Sequence, residues 1–139
     1  MFLTRLVYTS TISENFSPED IESILAVARE NNGENNVTGM LCFNRKYFLQ
    51  CLEGSRTEIN NTYHKILNDQ RHSNIIMLDY KEINSREFSN WSMGYMPESS
   101  LTSPINLKFS GTPKFDSYEM SGESAHEMML NLKASVPSV

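Results

Sequence analysis

The sequence is poor in the residues that mark several common kinds of site. Its two cysteines, Cys42 and Cys51, form neither a CxxC pair nor any spacing typical of a metal site, so we expect no bound metal and a reducing, cytoplasmic environment. There are only six glycines, and none belongs to a G-x-G-x-x-G dinucleotide fingerprint. No apolar run approaches the roughly 20 residues that a membrane-spanning helix requires. The first residues also lack the pattern of a signal peptide.

Clustered positive charge is also missing. Lysine and arginine total 12 against 17 acidic residues, a net charge of −5, and no basic run stands out. Nucleic-acid binding needs clustered cations, so we expect no nucleic-acid partner and no membrane partner. A chain of 139 residues is long enough for one domain with a short appendage and can bury a core without disulfides.

The residue periodicities predict alternating strands and helices. Residues 3–9 alternate like a strand, and Ser17 followed by Pro18 is typical of a helix start. The asparagine-rich stretch 32–36 is expected to end that helix. The remaining predicted elements are strands at 37–43 and 47–52, a helix at 56–69, and strands at 75–83 and 91–95. This order predicts an α+β, ferredoxin-like βαββαβ sandwich with an extra strand, in which two helices cover one face of a five-stranded sheet.

The composition changes after Met96. Residues 97–121 are rich in Ser, Pro, Gly and Thr, with one short helix expected to begin at Ser103 and to stop before Gly111. A second amphipathic helix is indicated by Ala125, Met128, Met129 and Leu132, after a cap at Ser121. We therefore divide the chain into a domain at 1–96 and an extension at 97–139. The extension either packs against the domain as a helical cap or moves in signalling.

Two polar residues interrupt an otherwise apolar sheet face. Tyr8 lies in the first predicted strand, and Gln50 lies in the third between Phe48 and Leu52. The first and third strands are neighbours in a ferredoxin-like sheet, so Tyr8 and Gln50 can meet across the ladder. A buried glutamine must have its hydrogen bonds satisfied. The alternative is that Gln50 faces solvent on a one-sided sheet.

Other polar groups also allow two interpretations. Asn31 and Asn32 either stop the helix or present amides to the edge of a planar heterocycle. The turn 69–72 is either an ordinary charged turn or a phosphate-binding one, through Arg71 and His72. Trp91 and Met93 are either core residues or contacts of a cofactor.

Taken in order, the motifs resemble the BLUF family, sensors of blue light using FAD. The matching stretches are R-L-V-Y-T-S at 5–10, A-R-E-N-N at 28–32, V-T-G-M-L at 37–41, F-L-Q-C-L-E-G at 48–54, D-Q-R-H at 69–72, R-E-F at 86–88 and W-S-M at 91–93.

The resemblance implies a noncovalently bound flavin, FAD with FMN or riboflavin as alternatives, held between the two helices. Tyr8 and Gln50 match the photoactive tyrosine and the switching glutamine, with Met93 and Trp91 relaying the change. Asn32, supported by Asn31, matches the residue at the pyrimidine edge of the flavin. The other residues implied at the cofactor are Ile24, Phe48 and Ile66 at the ring faces, Lys65 in place of the more common arginine, and Asp69, Arg71 and His72 at the phosphate end.

The implied function is that of a photoreceptor with no catalytic reaction of its own. Light drives electron and proton transfer from Tyr8 through Gln50, and the amide of Gln50 is left rotated or tautomerised, which gives a reversible red shift. Since no catalytic or DNA-binding segment follows, the output is expected to act on a downstream protein partner, and the chain is expected to form homo-oligomers.

Three other classes of protein are alternatives to this one. The N-R-K-Y-F-L-Q segment at 44–50 is superficially similar to the N-C-R-F-L-Q segment of light-oxygen-voltage domains, but it lacks the adduct-forming cysteine. A flavin enzyme would need a substrate cavity and a nucleotide fingerprint. A flavin-free ferredoxin-like interaction module would be colourless.

Overall fold

A five-stranded sheet forms the centre of the computed structural model, which describes residues 2–89 and 91–134. The strands are β1 (Leu3–Ile12), β2 (Thr38–Phe43), β3 (Tyr47–Ser55), β4 (His72–Glu82) and β5 (Gly94–Met96). They lie in the order β4-β1-β3-β2-β5. The β1–β3, β1–β4 and β2–β3 pairs are antiparallel, whereas β5 runs parallel to β2.

Two helices cover one face of this sheet. Helix α1 (Pro18–Asn35) begins at a capping box between Ser17 and Asp20, and α2 (Arg56–Leu67) begins where the Ser55 side chain accepts from the Glu58 amide. Their apolar side chains pack on those of β1, β2 and β3 that point the same way. This arrangement confirms the predicted α+β class with both helices on one face.

The C-terminal segment covers the other face. Helices α3 (Ser103–Phe109) and α4 (Gly122–Lys133), with short 3-10 turns at Glu98–Ser100 and Ser117–Glu119, pack there. One core is shared by the sheet and this segment: Val7, Met40, Cys42, Leu49 and Cys51 from the strands, with Leu101, Phe115, Met120, Ala125, Met128, Met129 and Leu132 from the segment. Both short helices begin where the sequence indicated, and Ser121 caps α4.

Hydroxyl groups also join the C-terminal segment to β1. The Thr9 hydroxyl donates to the Phe48 carbonyl and contacts the Ser117 hydroxyl, and both hydroxyl-bearing residues are fully buried. Two residues further along, Thr11 pairs with the Tyr118 hydroxyl at 2.8 Å. Thr9 directly follows Tyr8 in β1 and Thr11 lies two residues further on, so the segment is tied to the strand that carries the predicted photoactive tyrosine.

One predicted boundary was wrong, that of the last strand, and the end of α1 lies at the far end of the predicted stretch 32–36. Helix α1 continues through Gly33 to Asn35, because it is Asn36 that adopts the left-handed conformation (φ 57°) that ends it. The last strand begins at Gly94 and not at Trp91, whose amide donates a hydrogen bond to the Phe88 carbonyl instead of joining the sheet. Smaller shifts occur in α2, which ends at Leu67, and in β4, which already begins at His72.

None of the helices in the described ranges is both long enough and apolar enough to cross a membrane.

One buried histidine makes stability depend on pH. His126 on α4 is 8% exposed, and its Nε2 has no hydrogen-bond partner among residues 2–89 and 91–134. Burial, and then the nearby Arg5, lower its pKa; Asp79, Lys81 and Glu87 are the other charges that act on it. Below about pH 6.5 the unfolded chain therefore binds more protons than the folded one, and stability falls as the pH falls.

We expect His126→Leu to raise the melting temperature at pH 5.5 by more than at pH 7.5. A gain of about 1 kcal/mol would appear as roughly 3–5 °C in a chain of this size. Thermal unfolding at the two pH values measures this, with His64→Leu on the exposed side of α2 as the matched control. An equal effect of His126→Leu at both pH values would contradict the assignment.

Candidate functional site

A cavity of about 150 Å³ lies between α1, α2 and the sheet face beneath them. The eleven residues predicted to bind the cofactor all line it: Tyr8, Ile24, Asn31, Asn32, Phe48, Gln50, Lys65, Ile66, Asp69, Arg71 and His72. They come from three strands, both helices and the turn after α2. The fold therefore gathers residues that are spread over 65 positions of the sequence.

Tyr8 and Gln50 form the floor of the cavity. They are direct cross-strand partners of β1 and β3, as the alternation of faces predicted, and both are buried. The Tyr8 hydroxyl donates to Oε1 of Gln50 at 2.5 Å, and Nε2 of Gln50 donates to Sδ of Met93 at 3.4 Å. Burial, with smaller contributions from Asp69 and Tyr63, raises the pKa of Tyr8. The phenol is therefore neutral and a hydrogen-bond donor throughout the physiological range.

Asparagine side chains occupy one end of the cavity. Asn31, Asn32 and Asn35 lie on the last turn and a half of α1 and line the cavity together. Nδ2 of Asn32 also donates to the Ser92 carbonyl at 2.9 Å. Because α1 does not stop at Asn32, these amides are presented by a regular helix and not by a loose helix end.

The opposite end carries the charged turn after α2. Arg71 makes a two-pronged ion pair with Asp69, with Nε to Oδ1 at 3.0 Å and a terminal nitrogen to Oδ2 at 2.6 Å. The hydrogen bonds that Arg71 donates to Asp69 lower the pKa of Asp69 and raise the pKa of Arg71. Both groups stay charged, so a phosphate reaching Arg71 would share it with Asp69.

His72 is held in place by the protein itself. One ring nitrogen, Nε2, lies 2.8 Å from the Ile66 carbonyl and therefore carries a proton, while Nδ1 lies 2.7 Å from the Ser10 hydroxyl. The ring also packs edge-on against Tyr8 and Phe48, with centroids 6.2 and 6.0 Å away. His72 thus packs beside Tyr8, and both of its ring nitrogens already have hydrogen-bond partners in the protein.

Met93 and Trp91 lie on opposite sides of the sheet. Met93 is 1% exposed and contacts Gln50, whereas Trp91 is buried in the opposite core against Phe88 and Gly94. A side-chain carbon on Gly94 would overlap the indole ring. The structure therefore places Met93 beside Gln50 and Trp91 in the opposite core. The sequence had left open, for both residues, whether they are core residues or contacts of a cofactor, and the resemblance implied that both relay the change.

Six further residues of the cavity were not predicted as site residues: Val27, Ala28, Asn35, Leu41, Leu52 and Thr62. Simple periodicity could have found several of them. Ala28 and Asn35 continue the helical row that begins at Ile24, and Leu41 is the β2 partner of Gln50.

The side chains that line the cavity are chemically suited to bind a flavin ring. Apolar side chains can face a planar ring, and amides can pair with an imide edge that both donates and accepts. The enclosed volume is below the roughly 300–1,000 Å³ of typical ligand sites, so a bound ring would also fill the mouth, where Val27 and Lys65 are exposed.

Comparisons with known proteins point to one family. The family model described as "Sensors of blue-light using FAD" matches residues 3–94. The blue light- and temperature-regulated antirepressor BluF of Escherichia coli is 35% identical over 91 residues, which are 66% of this chain and 23% of that protein. This chain covers less than a quarter of the curated relatives it matches.

Solved structures extend the likeness to the whole chain. BlsA in its photo-activated state is 29% identical, with a TM-score of 0.87 over 99% of this chain and 98% of that one. A bacterial light-regulated adenylyl cyclase is 40% identical, with a TM-score of 0.68 over 70% of this chain and 28% of the cyclase. The chain belongs to the BLUF family, sensors of blue light whose cofactor is a flavin, FAD.

Proposed function

We propose that this chain is a blue-light photoreceptor in which Tyr8 and Gln50 form the light-driven switch. The observation that carries the proposal is the buried chain of hydrogen bonds from the Tyr8 hydroxyl to Gln50 and on to Met93, on the floor of the flavin cavity. A buried glutamine with a phenol on one side and a weak thioether acceptor on the other can exchange its partners at low cost.

We assign a role in flavin binding to each residue from its position in the cavity. Asn32, with Asn31, would bind the pyrimidine edge, and Ile24, Ile66 and Phe48 would pack on the ring. Lys65 at the mouth supplies a single cation near the ring or the phosphates, without the fork of an arginine. Arg71, held by Asp69, and His72 would border the ribose and phosphate end.

The switch uses the hydrogen bonds already present on the floor of the cavity. When bound, the flavin supplies the absorption of blue light and, once excited, a strong oxidant. Tyr8 would give an electron to the excited cofactor and its hydroxyl proton to Oε1 of Gln50 along the 2.5 Å hydrogen bond, and Nε2 of Gln50 would give up a proton in turn. When the charges recombine, the electron and a proton would return to Tyr8 and the amide would regain its proton, so that only the rotation or tautomeric form of Gln50 is changed. The altered hydrogen bonding of Gln50 would then red-shift the absorption.

The output would be a changed interaction with another protein. Among the relatives, one is named an antirepressor and others are light-regulated cyclases, so family members act through partners or through linked domains. We propose that residues 97–139 relay the Gln50 change, because the described part of this segment is tied to β1 through Ser117 and Tyr118. We further propose that the chain has no catalysis of its own, works in the cytoplasm and self-associates.

Illumination of the purified protein tests the function directly. The protein should be yellow, and blue light should shift its flavin band reversibly to longer wavelength, measured by absorption spectroscopy. Bleaching of the band would instead indicate a covalent adduct, as in light-oxygen-voltage domains. Steady oxidation of NAD(P)H would indicate a flavin enzyme, and a colourless protein that takes up no flavin would indicate an interaction module.

A further inference from the structure

The segment that carries Met93 has little anchoring of its own. Strand β5 has three residues and pairs only with β2, from Gly94 to Met96. Just before it, the Gly39 amide holds the Trp91 carbonyl at 3.0 Å. The next two carbonyls, those of Ser92 and Met93, accept their hydrogen bonds from side chains of α1 instead.

Two residues of α1 make these bonds. Nε of Arg29 donates to the Met93 carbonyl at 3.1 Å, and Nδ2 of Asn32 donates to the Ser92 carbonyl at 2.9 Å. Three positions apart, Arg29 and Asn32 lie on the same side of the helix. The Arg29 bond is charge-assisted and so the stronger of the two. The guanidinium also lies 5.9 Å from the ring centre of Tyr95, which restrains it from the other side.

Arg29 therefore sets where the Met93 sulfur can reach. A methionine side chain has three rotatable bonds and a weak acceptor, so it does not define its own position. The position of its backbone decides whether Sδ stays 3.4 Å from Nε2 of Gln50. We propose that Arg29 is a positioning residue for the switch: it holds Met93 against Gln50 in the dark arrangement and so favours return to that arrangement. This inference rests on the proposed function.

Dark recovery after illumination is the first test. Arg29→Met keeps an apolar stem and removes the donor, so we expect recovery about tenfold slower, equivalent to about 1.4 kcal/mol in the barrier. Arg29→Lys retains a cationic donor and should restore part of the rate. Arg45→Met is the matched control, since the Arg45 side chain is 92% exposed and pairs with Glu98. Unchanged recovery in Arg29→Met would overturn the proposal.

A double-mutant cycle shows whether Arg29 acts through Met93. In a Met93→Ala background, Arg29→Met should add little further slowing, because the sulfur that Arg29 positions is already gone. Full additivity of the two changes in the logarithm of the rate would instead mean that Arg29 acts by another route, and would also overturn the proposal.

A measurement in the dark separates this proposal from the proposed function. Trp91 is the single tryptophan of the chain and lies two residues before Met93. If Arg29→Met loosens residues 91–93, acrylamide should quench the fluorescence of Trp91 more strongly. The Stern–Volmer slope of this variant should then be steeper than that of the wild type or of Arg45→Met. If the protein shows no red shift, the photoreceptor function fails, while this slope still tests the Arg29 contact. An unchanged slope would refute that contact.

Discussion

Tyr8→Phe should leave the flavin bound and abolish the reversible red shift. The change removes a single oxygen atom, and the ring still fills its place between Tyr63 and His72. Phenylalanine has no hydroxyl proton to pass to Gln50 and is far harder to oxidise. Loss of this electron donor should also lengthen the flavin emission lifetime. Steady-state absorption under blue light and time-resolved emission measure the two effects.

Tyr63→Phe is the matched control for this experiment. Tyr63 lies with its ring centre 6.0 Å from that of Tyr8, yet it is not part of the chain of hydrogen bonds through Gln50. The Tyr63→Phe variant should therefore retain the red shift. A normal photocycle in Tyr8→Phe would show that the mechanism proposed for this chain is wrong, even if the protein is a photoreceptor.

Gln50→Ala should also bind flavin without a red shift, but for a different reason. Tyr8 remains as the electron donor, so emission should stay quenched, while no amide is left to rearrange its hydrogen bonds. The combination of quenched emission and absent shift separates Gln50 from Tyr8. The variant also leaves the buried Tyr8 hydroxyl without its acceptor, which should cost about 1–3 kcal/mol of folding stability, measurable by denaturant unfolding.

Gln70→Ala serves as the control, since Gln70 is exposed in the turn after α2. It should photocycle as the wild type does and retain its stability. A red shift of normal size in Gln50→Ala would exclude the amide as the switching group. Loss of flavin from Gln50→Ala would mean that Gln50 is needed for binding, against the assignment of that role to the asparagines of α1.

The regular parts of the fold were predictable because their signals are local. Alternation along residues 3–9 and 47–52 specifies which side chains share a face, and β1 and β3 are central neighbours in a sheet of this class. Together these two facts predicted that Tyr8 and Gln50 could meet across the ladder, and the structure supplies the register that makes them direct partners. The starts of α1 and α4 were equally accessible, because a serine cap acts within three residues of the helix start.

The irregular parts were not predictable, because long-range contacts decide them. Residues 91–93 belong to no strand, so two-residue alternation could not tell which of Trp91 and Met93 lies on the side of the sheet that α1 and α2 cover. Their orientation depends on bonds from Arg29 and Asn32, which lie about 60 positions away in the sequence. The end of α1 was predicted only as the stretch 32–36, and the structure shows that Asn36 and not Gly33 supplies the left-handed residue.

The sequence by itself determined the family, the α+β sheet and eleven of the residues that line the cavity between α1 and α2. Ordered motifs and periodicity carry that information without reference to distant contacts. The tertiary structure alone decided that Met93 lies beside Gln50 and that Trp91 lies behind the sheet. It also showed that both ring nitrogens of His72 are engaged and that Arg29 reaches the Met93 carbonyl. These features depend on side chains meeting backbone groups far along the chain, and no local pattern specifies them.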